Sequence, residues 1–225
     1  MFFSPFTSLF IAIFCFSLVL LFFAIQIDMI TLAFARIGIP SHYVLLALLA
    51  SLLGSFVNIP IRKIPQEGIE QHGVVNFFGF RHVVPIWTRN ETLLAVNLGG
   101  AVIPTLISAY ILLKTGVWLQ ACIGTGFMVL IAYGLARPLK GVGIALPAFI
   151  PPILAALISV VIAYQAAPVV AYISGTMGTL IGADLLHLGK IRNLGAPIAS
   201  IGGAGTFDGI FLNGILAVLL SAFLV

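Results

Sequence analysis

The sequence predicts an all-α, polytopic membrane protein, about seven helices in one bundle, and three observations carry the prediction. Of the 225 residues, 61% are hydrophobic and only 7% charged, with a mean hydropathy of +1.23; a soluble domain carries about 25% charged residues. Apolar stretches of about 20 residues recur, the length a helix needs to cross roughly 30 Å of hydrocarbon. The basic residues fall almost wholly on alternate connections between those stretches. Residues 1–225 therefore read as a single transmembrane domain with no soluble one.

Spans are predicted near 9–27, 43–60, 93–113, 117–135, 144–163, 169–187 and 207–225. The first has no Lys or Arg ahead of it, and no small-x-small cleavage site precedes Asp28. It therefore reads as a span and not as a removed leader. The sizeable polar stretch is 61–92. Within it, Gly73 to Trp87 is rich in Val, Phe, Ile and Trp, which predicts a short β-hairpin-like cytoplasmic segment. Such a ribbon is either a surface anchor through Phe77, Phe78, Phe80 and Trp87 or an edge that pairs with an extended peptide. Pro147, Pro151 and Pro152 cluster at the entry of the fifth span. They suit a plain helix start, where the first N–H groups lack partners anyway, or one wall of a wet cavity. In the sixth span Gly178 and Gly182 form a small-xxx-small pair that permits close helix approach. Gly202, Gly203 and Gly205 precede the seventh and suit a hinge or tight turn.

With seven spans, Arg62, Lys63, Arg81, Arg89, Arg137, Lys140, Lys190 and Arg192 share one side of the membrane, and only Arg36 and Lys114 take the other. That bias places the N-terminus in the cytoplasm and the C-terminus outside; a plasma membrane of prokaryotic type is the expected location. The net charge of +4 is thus a topology signal, and no basic solvent-facing surface remains for nucleic acid. Cys15 and Cys122 fall in predicted spans and read as packing residues.

Beyond Glu91 the chain has two acidic residues, Asp184 and Asp208, both in membrane-grade sequence. An ionised carboxylate is costly in hydrocarbon and persists there when paired, hydrated, protonated or used. Asp184 is expected about one turn from the cytoplasmic end of the sixth span and Asp208 in the first turn of the seventh. Consecutive helices, here joined by a loop of roughly 20 residues, are usually neighbours, so the two carboxyls are expected to meet at one depth. Close together they share one proton. The ionised group takes a proton from water, and the protonated one polarises a scissile carbonyl. A gem-diol forms and collapses as a proton returns to the leaving amine. The chemistry needs neither metal nor cofactor, and the titration belongs to the pair.

GADLLHL, followed by GGAGTFDGIFLNGILAVLL, resembles the two aspartate motifs of presenilin and signal peptide peptidase, the GxGD intramembrane aspartyl proteases. The resemblance covers about 55 residues. It implies Asp184 and Asp208 as the catalytic pair, with Gly203 and Gly205 as loop glycines that let the substrate backbone approach. It also implies Leu146, Pro147 and Ala148 in the place of the family's Pro-Ala-Leu element, which requires a permuted helix order because this string precedes both aspartates. The chain departs from the pattern at Phe207, where the family has glycine, and at Ala183, where it has tyrosine.

The expected function is therefore hydrolysis of peptide bonds in single-span membrane substrates, with the lipid bilayer and a transmembrane peptide as partners and the oligomeric state open. Two alternatives remain. A proton- or cation-coupled transporter would use the same aspartates with Asn97 and Asn213 as co-ligands. In a non-catalytic membrane scaffold Asp208 would cap its helix, and Asp184 would pair with His187, Lys190 or Arg192. No zinc-ligand spacing involves His42, His72 or His82.

Overall fold

The computed structural model describes residues 28, 31, 34, 35, 37–65, 72–77, 80–85, 91–139, 143–193, 195–203 and 209–225. The span expected at 9–27 lies outside the described residues. The rest is a helical membrane protein that carries a small sheet, which corrects the all-α expectation.

Among the described residues, Leu98–Thr115, Trp118–Leu135 and Tyr164–Ile191 are helical stretches long and apolar enough to cross a membrane, and Ile150–Ile162 and Leu212–Leu224 are shorter apolar helices. The α-helices are α1 (Ser41–Gly54), α2 (Ile103–Thr115), α3 (Trp118–Leu135), α4 (Ile150–Ile162), α5 (Ala167–Thr179) and α6 (Gly209–Leu224). A π-helical turn, Leu98–Val102, leads into α2. A second, Leu180–Asp184, extends α5 and passes into a 3-10 segment, Leu185–Asn193.

The start and stop signals are local. Pro151 stands in the first turn of α4, where a missing N–H costs no hydrogen bond; Pro104 and Pro168 instead follow the π-turn that leads into α2 and a 3-10 turn, Tyr164–Ala166, that leads into α5. Helix α2 ends on Gly116 at φ +69°, whose N–H bonds back to the Leu112 carbonyl at 3.0 Å, and Lys114 in its last turn complements the helix dipole.

Helix α5 is the axis of the bundle. It packs against α6, α3, α4 and α2, and nearly all of its residues are buried. Small residues make this possible. A Cβ on Gly178 would overlap Met128, and one on Gly182 would overlap the Val129 carbonyl, so α3 and α5 approach to backbone distance. At one end of the bundle Tyr172 meets Phe34 edge to face, with ring centroids 5.7 Å apart, within a cluster that includes Ile111, Ile173 and Val218. The other end is closed by Ala101, Leu180, Ile201 and Ile210.

Strands β1 (Asn58–Pro65), β4 (Glu91–Asn97) and β7 (Ile198–Ile201) form a sheet of order β1-β4-β7. The β1–β4 pair is antiparallel, with a register shift between Pro60 and Arg62, and the β4–β7 pair is parallel. Strands thus replace the end of the span expected at 43–60 and the start of the one at 93–113. The run Leu93 to Val96 is apolar enough for either assignment, and over so few residues hydropathy cannot separate a buried strand from a helix. Asn97 divides the two: its side chain accepts the Gly100 N–H at 2.8 Å and caps the π-turn. Likewise β5 (Arg137–Leu139) pairs with β6 (Gly143–Ala145), so the helix expected from 144 begins at Ile150. In the polar stretch, β2 (His72–Phe77) and β3 (Phe80–Pro85) form an antiparallel hairpin with Phe77 opposite Phe80.

Candidate functional site around Asp184

The site is built from the end of the long central helix. Over Leu180–Asp184 the helix widens to a π-turn, a feature frequent at functional sites. Gly182 lets the turn lie against α3. His187, buried, approaches the Gly182 carbonyl with its Nδ1 at 3.1 Å; a carbonyl only accepts, so Nδ1 carries the proton. The imidazole rests on Tyr133 with ring centroids 4.7 Å apart, and the Lys190 ammonium stands 5.6 Å from the same Tyr133 ring. His187 therefore serves the π-turn, and Lys190 lies over an aromatic face.

Asp184 ends the π-turn and is partly buried. Its Oδ2 accepts the backbone N–H of Gly202 at 2.7 Å, a charge-assisted geometry when the carboxylate is ionised. Gly202 stands just past β7 at φ +86°, and a Cβ there would come within 2.6 Å of the Ala101 nitrogen. No other residue type fits.

The sheet sets this position. Asn58 Oδ1 on β1 accepts from Asn97 Nδ2 on β4 at 3.0 Å and from Ser200 Oγ on β7 at 2.6 Å. Asn97 Nδ2 also donates to the Ser55 carbonyl at 2.6 Å. Thr92, buried, donates to the Ala196 carbonyl at 2.8 Å. Three polar side chains thus tie the strands together two residues before Gly202. Sequence reasoning missed this tie. The transporter alternative makes Asn97 an ion ligand, yet both ends of its amide are used by the backbone and by Asn58. The Asn-Leu-Gly-Gly string was a capping signal that could have revealed it.

The other expected site residues divide as follows. Gly203, at φ +89°, donates to the Ser200 carbonyl at 3.2 Å and continues the left-handed turn. Leu146 packs on the cluster of Ala132, Ala136 and Ala183, beside the residue that precedes Asp184, whereas Pro147 and Ala148 are exposed. Gly205 and Asp208 lie outside the described residues. The chain beyond Asp208 is anchored: Ile210 is buried in one cluster with Leu180, Ala101 and Ile201.

Fold and site together define a helical membrane protein in which, among the described residues, the longest apolar helical stretch carries a carboxylate at the end of a π-turn, held beside a small polar-tied sheet. The chain belongs to the family described as "Protein of unknown function (DUF1614)", whose model matches residues 52–220. No curated protein and no solved structure matched the chain.

That membership corrects the resemblance to presenilin and signal peptide peptidase: the match is to a distinct family that spans both aspartate segments. The reason is physical. The resemblance rested largely on glycines beside aspartates. Gly182 is demanded by the contact with α3, and Gly202 by the contact with Ala101. Close packing of any helical bundle selects such glycines, so they are poor witnesses of ancestry.

Proposed function

We propose that this protein is an intramembrane hydrolase of the aspartyl type, which cleaves peptide bonds of single-span membrane substrates with a water held between Asp184 and Asp208. The hydrogen bond from Gly202 to Asp184 is the observation that supports this reading best. It ties the carboxylate of the central helix to the same segment that, six residues on, carries the other acid. Ile210, two residues past Asp208 in the sequence, is buried in one cluster with Leu180, one turn before Asp184. One proton is shared by the pair, the ionised member activates the water, and the protonated member polarises the scissile carbonyl.

The membrane arrangement belongs to the same proposal: seven spans, the N-terminus cytoplasmic and the C-terminus outside, in a prokaryotic plasma membrane. The one-sided distribution of Lys and Arg supports it.

The test is cleavage of a labelled single-span substrate in proteoliposomes. Asp184→Ala and Asp208→Ala should each lower the rate by at least about 10³-fold, as loss of a member of a catalytic unit does, with helical content unchanged. Cleavage retained by either variant contradicts the assignment.

A further inference from the structure

We propose that the groove between α1 and the end of α2 binds an anionic phospholipid of the bilayer, its acyl chain in the groove and its phosphate held by Lys114 and Tyr110. The inference is independent of the hydrolase reading. It needs only a helical membrane protein, and its test involves no cleavage.

Lys114 stands in the last turn of α2, at the end of the apolar stretch Leu98–Thr115, where a basic side chain marks the edge of the hydrocarbon. Its position is fixed. Nζ donates to the carbonyl of Gly38, a residue at φ +85°, and at 3.4 Å to Tyr110 Oη. The stem lies along Gly38, where a Cβ would come 3.7 Å from its Cδ and Cε. An ammonium carries three N–H donors, and among the described residues Gly38 and Tyr110 are its partners, with no carboxylate beside them. One N–H and the whole charge are left to be answered. The Tyr110 hydroxyl accepts from Lys114 and keeps its own hydrogen to donate. Two donors, one of them cationic, thus stand together at the membrane boundary, a combination suited to a phosphate oxygen.

The groove starts at that point. A cavity of about 370 Å³ lies between α1 and α2, lined among others by Tyr43, Tyr110, Ile39, Ala47, Leu106 and Ile107; its volume is that of a small-molecule site. Tyr110 is one turn inward of Lys114, Leu106 and Ile107 lie a turn further, and Ala47 is one turn beyond Tyr43. The cavity therefore runs from the boundary toward hydrocarbon depth. Beyond the tyrosine hydroxyls its side chains are apolar, so water would find too few partners there. Tyr43, Leu106 and Tyr110 are exposed, and the groove opens on the lipid side of the bundle. An acyl chain supplies the contacts that an unfilled groove forgoes. The charge at its head chooses the lipid. A zwitterionic headgroup brings its own cation beside the phosphate, whereas an anionic one leaves the phosphate charge for Lys114.

Photolabelling of the full-length protein in phosphatidylcholine vesicles tests this. The vesicles would carry a trace of phosphatidylglycerol, or of phosphatidylcholine, with the same diazirine-bearing acyl chain. Labelling of α1 and α2 is divided by that of α4, whose exposed Ile153, Leu157 and Val161 give a lipid-facing reference without Lys or Arg. The quotient should be about fivefold higher for phosphatidylglycerol, the factor that one charge at the membrane surface supplies, with label on Ala47, Leu106 or Ile107. Lys114→Gln should bring it down to the phosphatidylcholine value. Equal quotients for the two lipids overturn the proposal, as does a preference that Lys114→Gln leaves intact. A groove that neither lipid labels overturns it too, since another segment of the chain or a second copy would then cover it. If the variant does not reconstitute, the wild-type comparison of the two headgroups decides alone.

Discussion

Gly202 combines a left-handed backbone, a close approach to Ala101 and the N–H that holds Asp184. Gly202→Ala therefore meets strain and overlap together. It is expected to cost roughly 1–3 kcal/mol in denaturant unfolding and to impair any activity that depends on Asp184; a variant as stable as wild type would show that the turn relaxes freely. Asp184 was legible in the sequence because a carboxylate in apolar surroundings is expensive and so stands out. The left-handed turn at Gly202 and Gly203 was legible for a related reason, since clustered glycines advertise unusual backbone. Their partners were not. Nothing local links Gly202 to Ala101, or Asn58 to Ser200, which lies 142 residues further along. The contact of His187 Nδ1 with the Gly182 carbonyl has no signal in the sequence either.

At the scale of elements, the helices were legible from length and hydropathy, and the small sheet was not. Strands β4 and β7 are short and apolar, and they border helices. A hydropathy window therefore merges β4 with the helix that follows it and passes over β7. The hairpin β2–β3 was readable because its β-branched and aromatic residues lie in an otherwise polar stretch. The element that matters most for the site is β7, because it delivers Gly202 to Asp184. Its position depends on the Asn58–Asn97–Ser200 tie. Asn97→Ala removes the bonds to Ser55, Asn58 and Gly100, and at about 1 kcal/mol for each buried hydrogen bond it should destabilise the protein by roughly 2–4 kcal/mol. Amide hydrogen exchange over residues 91–97 and 198–201 checks this: both strands should lose protection together, while α3 keeps its own. Unchanged protection in β7 would mean that the parallel pairing alone holds the strand.

For the molecule as a whole, a single buried helix, α5, organises the bundle, and the sheet closes the end where its π-turn carries Asp184. Membership of the DUF1614 family across residues 52–220 places the Asp184 and Asp208 segments within one matched region. A hydrolytic pair requires those two acids to share one site. Cysteine crosslinking in membranes examines that without a substrate. The protein would carry Asp184→Cys and Asp208→Cys, with Cys15 and Cys122 changed to Ser, and would be treated with a short bifunctional thiol reagent. A dyad predicts rapid intramolecular crosslinking, detected as one linked peptide after proteolysis, and far slower reaction when the second cysteine is moved to Leu220 on the distant part of α6. Absence of the 184–208 link, in protein whose two thiols both react with a monofunctional reagent, would contradict a shared site.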